Sequence, residues 1–376
     1  MASRRAAPPR ATAAPSGPPA HRSASSAVAS PPIADGERVI DLELKRGGER
    51  GKVLQMQATL QAGRYEIQEV LAYGGMGIVL RALDRKLAGN EVLVKAIKYA
   101  ASEFAYDRQK AIYNIYQLRQ MFRRERRILT ELRLRGINDV PHLNDFFYDK
   151  NIEFRDRTYP FGKLEEHETH DFLGIQVEVQ REPFLVMERI MGLPLGELLD
   201  VLPEASLLRI VRDALVVLSK MHAVRVREDG TKLQLLYLDL KPENLLVDRR
   251  HRMTLIDFGG TMPVVDGKKR KETKGALTFG YAAPELQTLF TSVDTVDRRA
   301  DLYSVGALLW RIYTGNDPVK RADPITNQFP VLDPEELPLR MHPDLRDLVT
   351  RALERDPDRR WSTAEEMITV LDRHVQ

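Results

Sequence analysis

The stretch that decides the fold runs from Tyr237 to Leu246 and reads YLDLKPENLL. It places an acid, a cation and an amide (Asp239, Lys241 and Asn244) close together between apolar residues that favour burial. A solvated loop needs no apolar flanks. A site in which three polar side chains converge on one point needs flanking residues buried in the core to hold it in place. The stretch therefore predicts a functional loop with buried flanks.

A second polar motif, TLIDFGG, follows downstream. Its carboxylate, Asp257, comes after an apolar strand-like run and before two glycines. A carboxylate at a strand end, beside flexible backbone, suits Mg²⁺, which prefers hard oxygen ligands. The alternative reading is two unrelated polar turns, but the order and spacing of the two motifs together disfavour it.

Two weaker motifs lie upstream. YGGMGIV (73–79) sits between strand-like runs, where glycines let backbone N–H groups approach a phosphate, although glycine clusters are more often turns. Lys95 lies in the apolar run VLVKAIK and needs an anionic partner if it is buried, for which Glu125 is a candidate. Taken alone, a strand lysine is usually an outward-facing charge.

The bulk composition is that of a soluble globular protein. Its 376 residues exceed the usual size of one domain, which favours one large two-lobed domain or two domains. The 57 basic and 54 acidic residues nearly balance, so we expect no nucleic-acid partner. The absence of cysteine excludes disulfides and sulfur-based zinc sites and fits a reducing, cytoplasmic location. No apolar run is long enough for an integral membrane segment.

The hydrophobic pattern predicts an α+β chain in two lobes, strand-rich first and helix-rich second. A long helix is predicted from about Asp107 to Arg135, and the chain from Pro194 onward is mostly helical in character. The predicted parts are a disordered Ala/Pro/Ser/Arg tail (1–34), an N-terminal extension with a possible hairpin (35–63), the strand-rich lobe and hinge with an insertion at 150–182 (64–190), and the helical lobe (191–376).

Together these motifs resemble those of the eukaryotic-like (Hanks-type) serine/threonine protein kinases, from about Tyr65 to Val375, and the GGMG loop is similar to that of the bacterial branch. The resemblance implies the bilobal protein-kinase fold and binding of ATP with Mg²⁺, or Mn²⁺ in its place. It also implies transfer of the γ-phosphoryl group to Ser/Thr hydroxyls of protein substrates, the chain itself included.

The resemblance implies a role for each matching position. Asp239 matches the aspartate that takes up the hydroxyl proton, and Lys241 matches the lysine that balances charge on the γ-phosphoryl group. Lys95 with Glu125 matches the pair that fixes the α/β-phosphates, while Lys98 offers a competing alignment. The metal ligands are matched by Asn244 and Asp257. The A-P-E segment is matched by Ala283–Pro284–Glu285, with Arg360 as the partner of Glu285, and Asp301 matches the aspartate that supports the catalytic loop. The positions that match nucleotide contacts are Leu71, Gly74, Gly75, Met76, Gly77, Val79, Met187 (the gatekeeper), Glu188, Ile190 and Asn244.

The chain departs from the family in its catalytic loop. Tyr237–Leu238–Asp239 stands where the family has His-Arg-Asp, so the arginine that usually grips an activation-loop phosphate is missing. Activity is therefore predicted to depend little on loop phosphorylation. Thr273 is a candidate autophosphorylation site and Thr278 a candidate substrate-positioning threonine. Ala72 replaces the first loop glycine.

Other polar segments are predicted to be exposed to solvent and not to bind a metal or nucleic acid. The insertions 150–182 and 226–234 are expected on the surface, as sites for a partner. EEHETH (165–170) lacks a convincing third metal ligand and is expected to be a solvated loop. KKRKETK (268–274) is expected to be a solvated activation segment and not a nucleic-acid patch.

Two alternative functions are left open by the sequence. The altered His-Arg-Asp motif fits a pseudokinase scaffold that binds nucleotide without turnover, although Lys95, Glu125, Asp239, Asn244 and Asp257 are all retained. A small-molecule phosphotransferase of related fold is the other alternative, although such enzymes lack an activation segment ending in A-P-E. The sequence does not decide the protein substrate, the activating signal or the oligomeric state.

Overall fold

Alternation of buried and partly exposed residues organises the N-terminal lobe. In the strand Gly77–Asp84 every second residue is buried, as a period of two requires. The computed structural model describes residues 39–45, 50–73, 77–98, 108–149, 169–172, 175–178, 182–269, 280–286, 296–321 and 332–375. The predicted tail 1–34 lies outside these ranges.

The described N-terminal lobe consists of ten strands and one long helix. Its elements are β1 (Val39–Glu43), β2 (Val53–Gln57), β3 (Thr59–Leu60), β4 (Tyr65–Tyr73), β5 (Gly77–Asp84), β6 (Asn90–Ile97), α1 (Arg108–Leu134), β7 (Leu143–Asp149), β8 (Thr169–Phe172), β9 (Ile175–Glu178) and β10 (Glu182–Glu188). An antiparallel sheet of six strands runs in the order β3-β4-β5-β6-β10-β7. β1 pairs with β2, and β8 with β9.

The described C-terminal lobe is built around helices, with short strands near the cleft. Its elements are β11 (Leu193–Pro194), α2 (Glu204–His222), β12 (Arg225–Val226), β13 (Lys232–Leu236), β14 (Leu245–Val247), β15 (Met253–Leu255), β16 (Met262–Val265), β17 (Lys268–Lys269), α3 (Arg299–Thr314), α4 (Pro343–Ala352) and α5 (Ala364–Leu371). Two small sheets have the orders β11-β14-β15 and β12-β13-β16-β17.

Helix α3 forms the centre of this lobe, because all residues from Ala300 to Trp310 are buried. A helix that is apolar on every side can only lie inside a core. The same core includes Ile128, Leu129 and Leu132 of α1, so the C-terminal half of α1 packs with the C-terminal lobe. The N-terminal lobe has a separate core beneath its sheet, in which Tyr65, Phe147 and Phe184 stack.

The two-lobed α+β prediction is confirmed, and α1 lies where the long helix was expected. The prediction of a mostly helical chain beyond Pro194 was wrong in part, since six short strands lie there among the described residues. Strands of two to five residues are too short to show a clear periodicity, so no hydrophobic pattern predicts them. No helix among the described residues is long and apolar enough to cross a membrane.

Both insertions contain strands in the parts that the structure describes. β8 and β9 form an antiparallel pair inside 150–182, although Glu165–Glu168 of the EEHETH motif fall outside the described residues. The insertion 226–234 contributes to the β12–β13 hairpin, whose tip is exposed as predicted but whose Leu233 is buried. This second insertion is therefore part of a sheet and not a surface loop throughout.

A buried ion pair joins two distant segments of the C-terminal lobe. Arg360, whose side chain is 0% exposed, bonds both carboxylate oxygens of Glu285 at 2.7 and 2.8 Å. The same guanidinium donates to the carbonyls of Arg299, Glu354 and Arg355. Glu285 and Arg360 thus meet as the resemblance implies, and they tie the segment at 280–286 to the base of the lobe.

Replacing Glu285 by alanine should lower the free energy of unfolding by about 3–5 kcal/mol, because it leaves a buried guanidinium without its carboxylate. Urea denaturation measures this loss.

The control is Arg212→Ala, which breaks an ion pair with Asp372 that is partly exposed on both sides. It should cost less than about 1 kcal/mol. Equal losses in the two variants would contradict the assignment of Glu285 and Arg360 as a structural pair.

Candidate active site

The loop that carries Asp239 is held from below by one buried carboxylate. Asp301, which is fully buried in α3, accepts hydrogen bonds from the backbone N–H of Tyr237 (2.9 Å) and Leu238 (2.6 Å). Its Oδ2 also lies 2.7 Å from Nε2 of His222, the last residue of α2. Leu238 has a φ of +65°, a left-handed conformation that costs a branched residue about 1 kcal/mol or more. The two bonds to Asp301 hold this strained turn in place.

Tyr237 links the loop to the strand that precedes Asp257. Its hydroxyl donates to the carbonyl of Ile256 (2.5 Å), and its ring packs edge-on against Phe258 with centroids 5.5 Å apart. The backbone N–H of Ile256 in turn donates to the carbonyl of Asn244. The loop at 237–244 and the motif at 256–260 therefore form one unit, and Tyr237, where the family has histidine, takes part in joining them.

Asp239, Lys241 and Asn244 converge as the sequence predicted. Lys241 Nζ lies 3.2 and 2.9 Å from the two carboxylate oxygens of Asp239. Nδ2 of Asn244 donates to the carbonyl (2.8 Å) and to Oδ2 (2.9 Å) of Asp239. The carboxylate is thus fixed by a cation and an amide from its own loop. The flanking Leu238, Leu240 and Leu245 are buried, as expected for an anchored loop.

Lys95 lies at the centre of a second cluster. Its Nζ is 2.9 and 2.8 Å from the two oxygens of Glu125 on α1 and 3.0 Å from Oδ1 of Asp257. One ammonium therefore joins β6, α1 and the motif that follows β15. The competing residue Lys98 points elsewhere, with its Nζ 3.6 Å from the centroid of the Tyr73 ring.

The charges in this cluster depend on one another. Burial alone would lower the pKa of Lys95, but the carboxylates of Asp257 and Glu125 outweigh it and raise that pKa. The ammonium of Lys95 in turn lowers the pKa of Asp257, so this carboxylate stays ionised. Burial raises the pKa of Glu125, and the nearby charge of Asp257 raises it further. Two carboxylates thus share one cation, and the more buried of them is the easier to protonate.

The segment that carries Asp257 contacts the loop that carries Asp239. Gly260 packs directly on the catalytic loop, since a Cβ added to it would lie 3.4 Å from Cβ of Asp239. A side chain at Gly259 would approach Oδ1 of Asp257 to 3.3 Å, and the N–H of Gly259 donates to that atom. Asp257 itself has a φ of +59°, which aspartate tolerates better than most residues. The two glycines therefore let the segment that carries Asp257 pack closely against the loop that carries Asp239.

The donor atoms that remain suit a hard cation. Because Asn244 turns its nitrogen to Asp239, its carbonyl oxygen Oδ1 is the atom that can serve as a ligand. Oδ1 of Asp257 accepts hydrogen bonds from Lys95 and from the N–H of Gly259. The side chain is 41% exposed, so its other oxygen, Oδ2, is the atom that can serve as a metal ligand. Amide and carboxylate oxygens are the ligands that Mg²⁺ prefers. The residues Asn244 and Asp257 thus fit the metal that the sequence predicts.

The candidate nucleotide contacts lie on neighbouring strands. Leu71 is in β4 and Gly77 and Val79 are in β5, where Val79 pairs with Lys95 across to β6. A side chain at Gly77 would lie 3.1 Å from the carbonyl of Ala96, so a larger residue would crowd that strand. Gly74, Gly75 and Met76 fall outside the described residues. The nucleotide contacts of this group stay predictions.

The predicted hinge lies at the end of β10. Met187 is buried in β10 and pairs with Leu93 and Leu143 in the flanking strands. Glu188 forms two hydrogen bonds with His142. Its Oε1 accepts from the N–H of His142, and its own N–H donates to the carbonyl of His142. Ile190 follows at the end of the strand. Contacts of these residues with adenine stay predictions.

Three supporting residues were missed by the sequence analysis. His222 carries no motif, yet it packs on Asp301 and thus lies beneath the catalytic loop. Phe122 of α1 lies beside Lys95, whose Nζ is 5.9 Å from the ring centroid. Tyr237 was noted only as a departure from His-Arg-Asp, and its bond to Ile256 was not foreseen. All three act through contacts between distant segments, which no local pattern reveals.

A further group of potential metal ligands lies away from the cleft. His342, Asp344 and His374 place their ligand atoms within 4.8 Å of one another. Nδ1 of His342 already accepts the N–H of Asp344 as the cap of α4. Coordination by His342 would break this cap or require the opposite tautomer, so we assign no metal here.

Comparison with known proteins agrees with this geometry. The family described as "Protein kinase domain" matches residues 65–370. The chain is 28% identical over 315 residues to the serine/threonine-protein kinase PknB of Mycolicibacterium smegmatis, covering 81% of this chain and 42% of that protein. It is 29% identical over 321 residues to a probable serine/threonine-protein kinase of Streptomyces coelicolor, covering 81% of this chain and 39% of that one.

The chain thus spans about two fifths of the length of these two relatives. A solved structure described as "PpkA-294 apo form" is similar in fold, with a TM-score of 0.54 at 21% identity over 84% of this chain and 99% of that chain.

Replacing Lys95 by methionine should make stability depend on pH. Without the ammonium, Glu125 and Asp257 face each other as two anions, and the already raised pKa of Glu125 should rise further. A group whose pKa is raised by folding stabilises the folded state at low pH and loses this effect as the pH rises through the folded-state pKa. The melting temperature of Lys95→Met should therefore fall further below that of the wild type at about pH 8 than at about pH 5.

Lys98→Met is the matched control, because it removes a lysine from the same region of the chain whose Nζ lies over the ring of Tyr73. Its difference from the wild type should be the same at both pH values. A pH-independent deficit in Lys95→Met would show that the two carboxylates do not compete for Lys95.

Proposed function

The chain belongs to the protein kinase family, in the Hanks-type serine/threonine branch found in bacteria, and on this premise we propose that it transfers the γ-phosphoryl group of ATP to Ser/Thr hydroxyls of proteins. The proposal extends to transfer onto the chain itself. The observation that carries it is the contact of Lys95 with both Glu125 and Asp257, beside an Asp239 held by Lys241 and Asn244.

The chain's own residues divide the work of the reaction. Asp239 accepts a hydrogen bond from the attacking hydroxyl and takes up its proton, for which its position on an anchored loop is suited. Lys241, bonded to Asp239, offsets negative charge on the transferred group. Lys95 orients the α/β-phosphates, and Glu125 holds the lysine in place. Positioning and charge stabilisation account for most of the catalysis in such a reaction.

Magnesium, or manganese in its place, is part of the proposal. When bound, the cation neutralises charge on the nucleotide phosphates. Asn244 and Asp257 would hold it through Oδ1 and Oδ2 respectively. Asp257 is suited to this task because Lys95 keeps its pKa low, so the carboxylate is ionised over the working range of pH.

The remaining contacts proposed for ATP are those of the strand-rich lobe. Leu71, Gly77 and Val79 would cover the nucleotide from β4 and β5, and Met187 to Ile190 would meet the adenine at the hinge. A cytoplasmic location and a role in signalling are proposed on the sequence alone, and cell fractionation tests the first of these.

The Asp239→Asn variant should lose phosphoryl transfer by about 10²- to 10⁴-fold, because asparagine cannot take up the proton of the acceptor hydroxyl. Radiolabelled ATP with Mg²⁺ and a generic basic protein substrate measures the rate, and acid hydrolysis of the product identifies phosphoserine and phosphothreonine.

Asp200→Asn, on the exposed surface, should retain wild-type activity. Nucleotide binding to Asp239→Asn should remain, since the lysine pair is untouched. A wild-type protein that binds ATP with Mg²⁺ but transfers nothing would favour the pseudokinase, and transfer to small molecules alone would favour the small-molecule phosphotransferase.

Thr273→Ala should leave the turnover number within about twofold of the wild type, because Leu238 cannot grip a loop phosphate as arginine would. The assay compares the variant with wild-type protein before and after phosphatase treatment. A collapse of turnover in Thr273→Ala, while the control Asp200→Asn keeps wild-type turnover, would refute independence from loop phosphorylation.

A further inference from the structure

The β12–β13 hairpin lies beside both loops of the site. β13 ends at Leu236, so its chain runs directly into Tyr237 and the catalytic loop. On its other side β13 pairs with β16, in register from Leu236 with Met262 to Leu233 with Val265. β16 is the strand that follows the Asp257 motif. A single strand thus adjoins the two segments that carry Asp239 and Asp257.

The same hairpin contacts the C-terminal end of α1. Glu131, whose side chain is 5% exposed, accepts from Arg225 of β12 (3.0 Å) and from Arg135 (3.1 Å), and Arg227 lies 3.6 Å away. A buried carboxylate is stable only with such partners. Glu131 therefore ties α1 to β12 through an ion pair in which the carboxylate is buried and Arg225 is partly exposed.

Arg135 extends this contact to two more segments. Its guanidinium donates to the carbonyls of Lys220, Met221 and Ala223, at the C-terminal end of α2, and to that of Leu233 in β13. The last carbonyls of a helix have no partner within the helix, so this end of α2 needs a donor. One buried arginine thus joins the end of α1, the end of α2 and the hairpin.

This anchor is close enough to Glu125 to affect its position. Glu131 follows Glu125 by six residues of one continuous helix, a distance of about 9 Å along the axis. The two side chains point about 120° apart around the helix, so Glu125 meets Lys95 while Glu131 meets the hairpin. Because a helix moves as a stiff unit, fixing its end restrains the rotation that would withdraw Glu125 from Lys95.

Resting on the function proposed above, we propose that Glu131, Arg135 and Arg225 are positioning residues that keep Glu125 paired with Lys95 without a phosphate on the activation loop. Leu238 stands where the family has its phosphate-binding arginine. The β12–β13 hairpin instead joins α1 to β16, the strand after Asp257, through contacts that need no phosphate. The insertion at 226–234 is thus a part of the catalytic support and not only a surface for partners.

The test uses Arg225→Met in the full chain, because Arg225 is partly exposed and its removal is compatible with folding. The turnover number should fall about fivefold, while the KM for ATP stays within about twofold, since the hinge is untouched. Arg225→Lys, which keeps the charge, should recover part of the loss. Glu228→Gln, at the exposed tip of the same hairpin, should match the wild type.

Two further measurements separate positioning from simple destabilisation. In a Glu125→Gln background Arg225→Met should cause no additional loss of turnover, because the pair that it positions is already broken. Hydrogen exchange should become faster in residues 128–135 and 262–265 of Arg225→Met and stay unchanged in α4. Wild-type turnover in Arg225→Met, or the same loss in both backgrounds, would overturn the inference.

The exchange measurement also separates this inference from the proposed function. If the wild type transfers no phosphoryl group, the proposed function fails, and faster exchange at both segments in Arg225→Met would still support the link from hairpin to α1. If the wild type is active and exchange does not change, the positioning role is overturned and the proposed function stands.

Discussion

The ammonium of Lys95 is the interaction on which the site depends. It contacts Glu125 on α1 and Asp257 after β15, so three elements far apart in sequence meet at one charge. The carboxylate of Glu125 is costly to bury without a cation, and the ammonium of Lys95 is costly to bury without an anion. The cluster is therefore stable only when the sheet, α1 and the Asp257 motif are all in place. The charges of Lys95, Glu125 and Asp257 are therefore paired only when the two lobes are correctly assembled.

The C-terminal lobe contributes rigidity. Asp301 lies in a helix that is buried on every side, and from there it holds the N–H groups of two successive loop residues. Leu238 accepts a left-handed backbone conformation as a result. Tyr237 adds a bond from the same loop to Ile256. Strain of this kind persists only where the surroundings over-determine the geometry, and such sites are commonly functional. Asp239 thus receives a fixed direction from residues that never touch a substrate.

The loss of the loop arginine and the presence of the hairpin are best understood together. With leucine at 238, a phosphate on the activation loop has no guanidinium to bind at that position. The β12–β13 hairpin instead joins α1, α2 and β16 through Glu131, Arg135 and backbone pairing. Backbone hydrogen bonds and buried ion pairs do not depend on a modification. A site held in this way is ordered by the fold itself.

The sequence by itself determined the two-lobed α+β plan and the long helix α1, and it singled out Lys95, Glu125, Asp239, Asn244 and Asp257 as candidate site residues. These follow from local periodicity and from motifs, in which neighbouring residues report on each other. Only the tertiary structure decided that Lys95 and not Lys98 meets Glu125, that Tyr237 bonds Ile256, and that the insertion at 226–234 forms a strand. Lys95 and Lys98 lie in the same apolar run, and the β12–β13 strands are too short for a periodic signal. β13 is held by β16, whose paired residues lie 26 to 32 positions further along the chain, and Arg225 is held by α1. Such pairings leave no pattern in a single sequence.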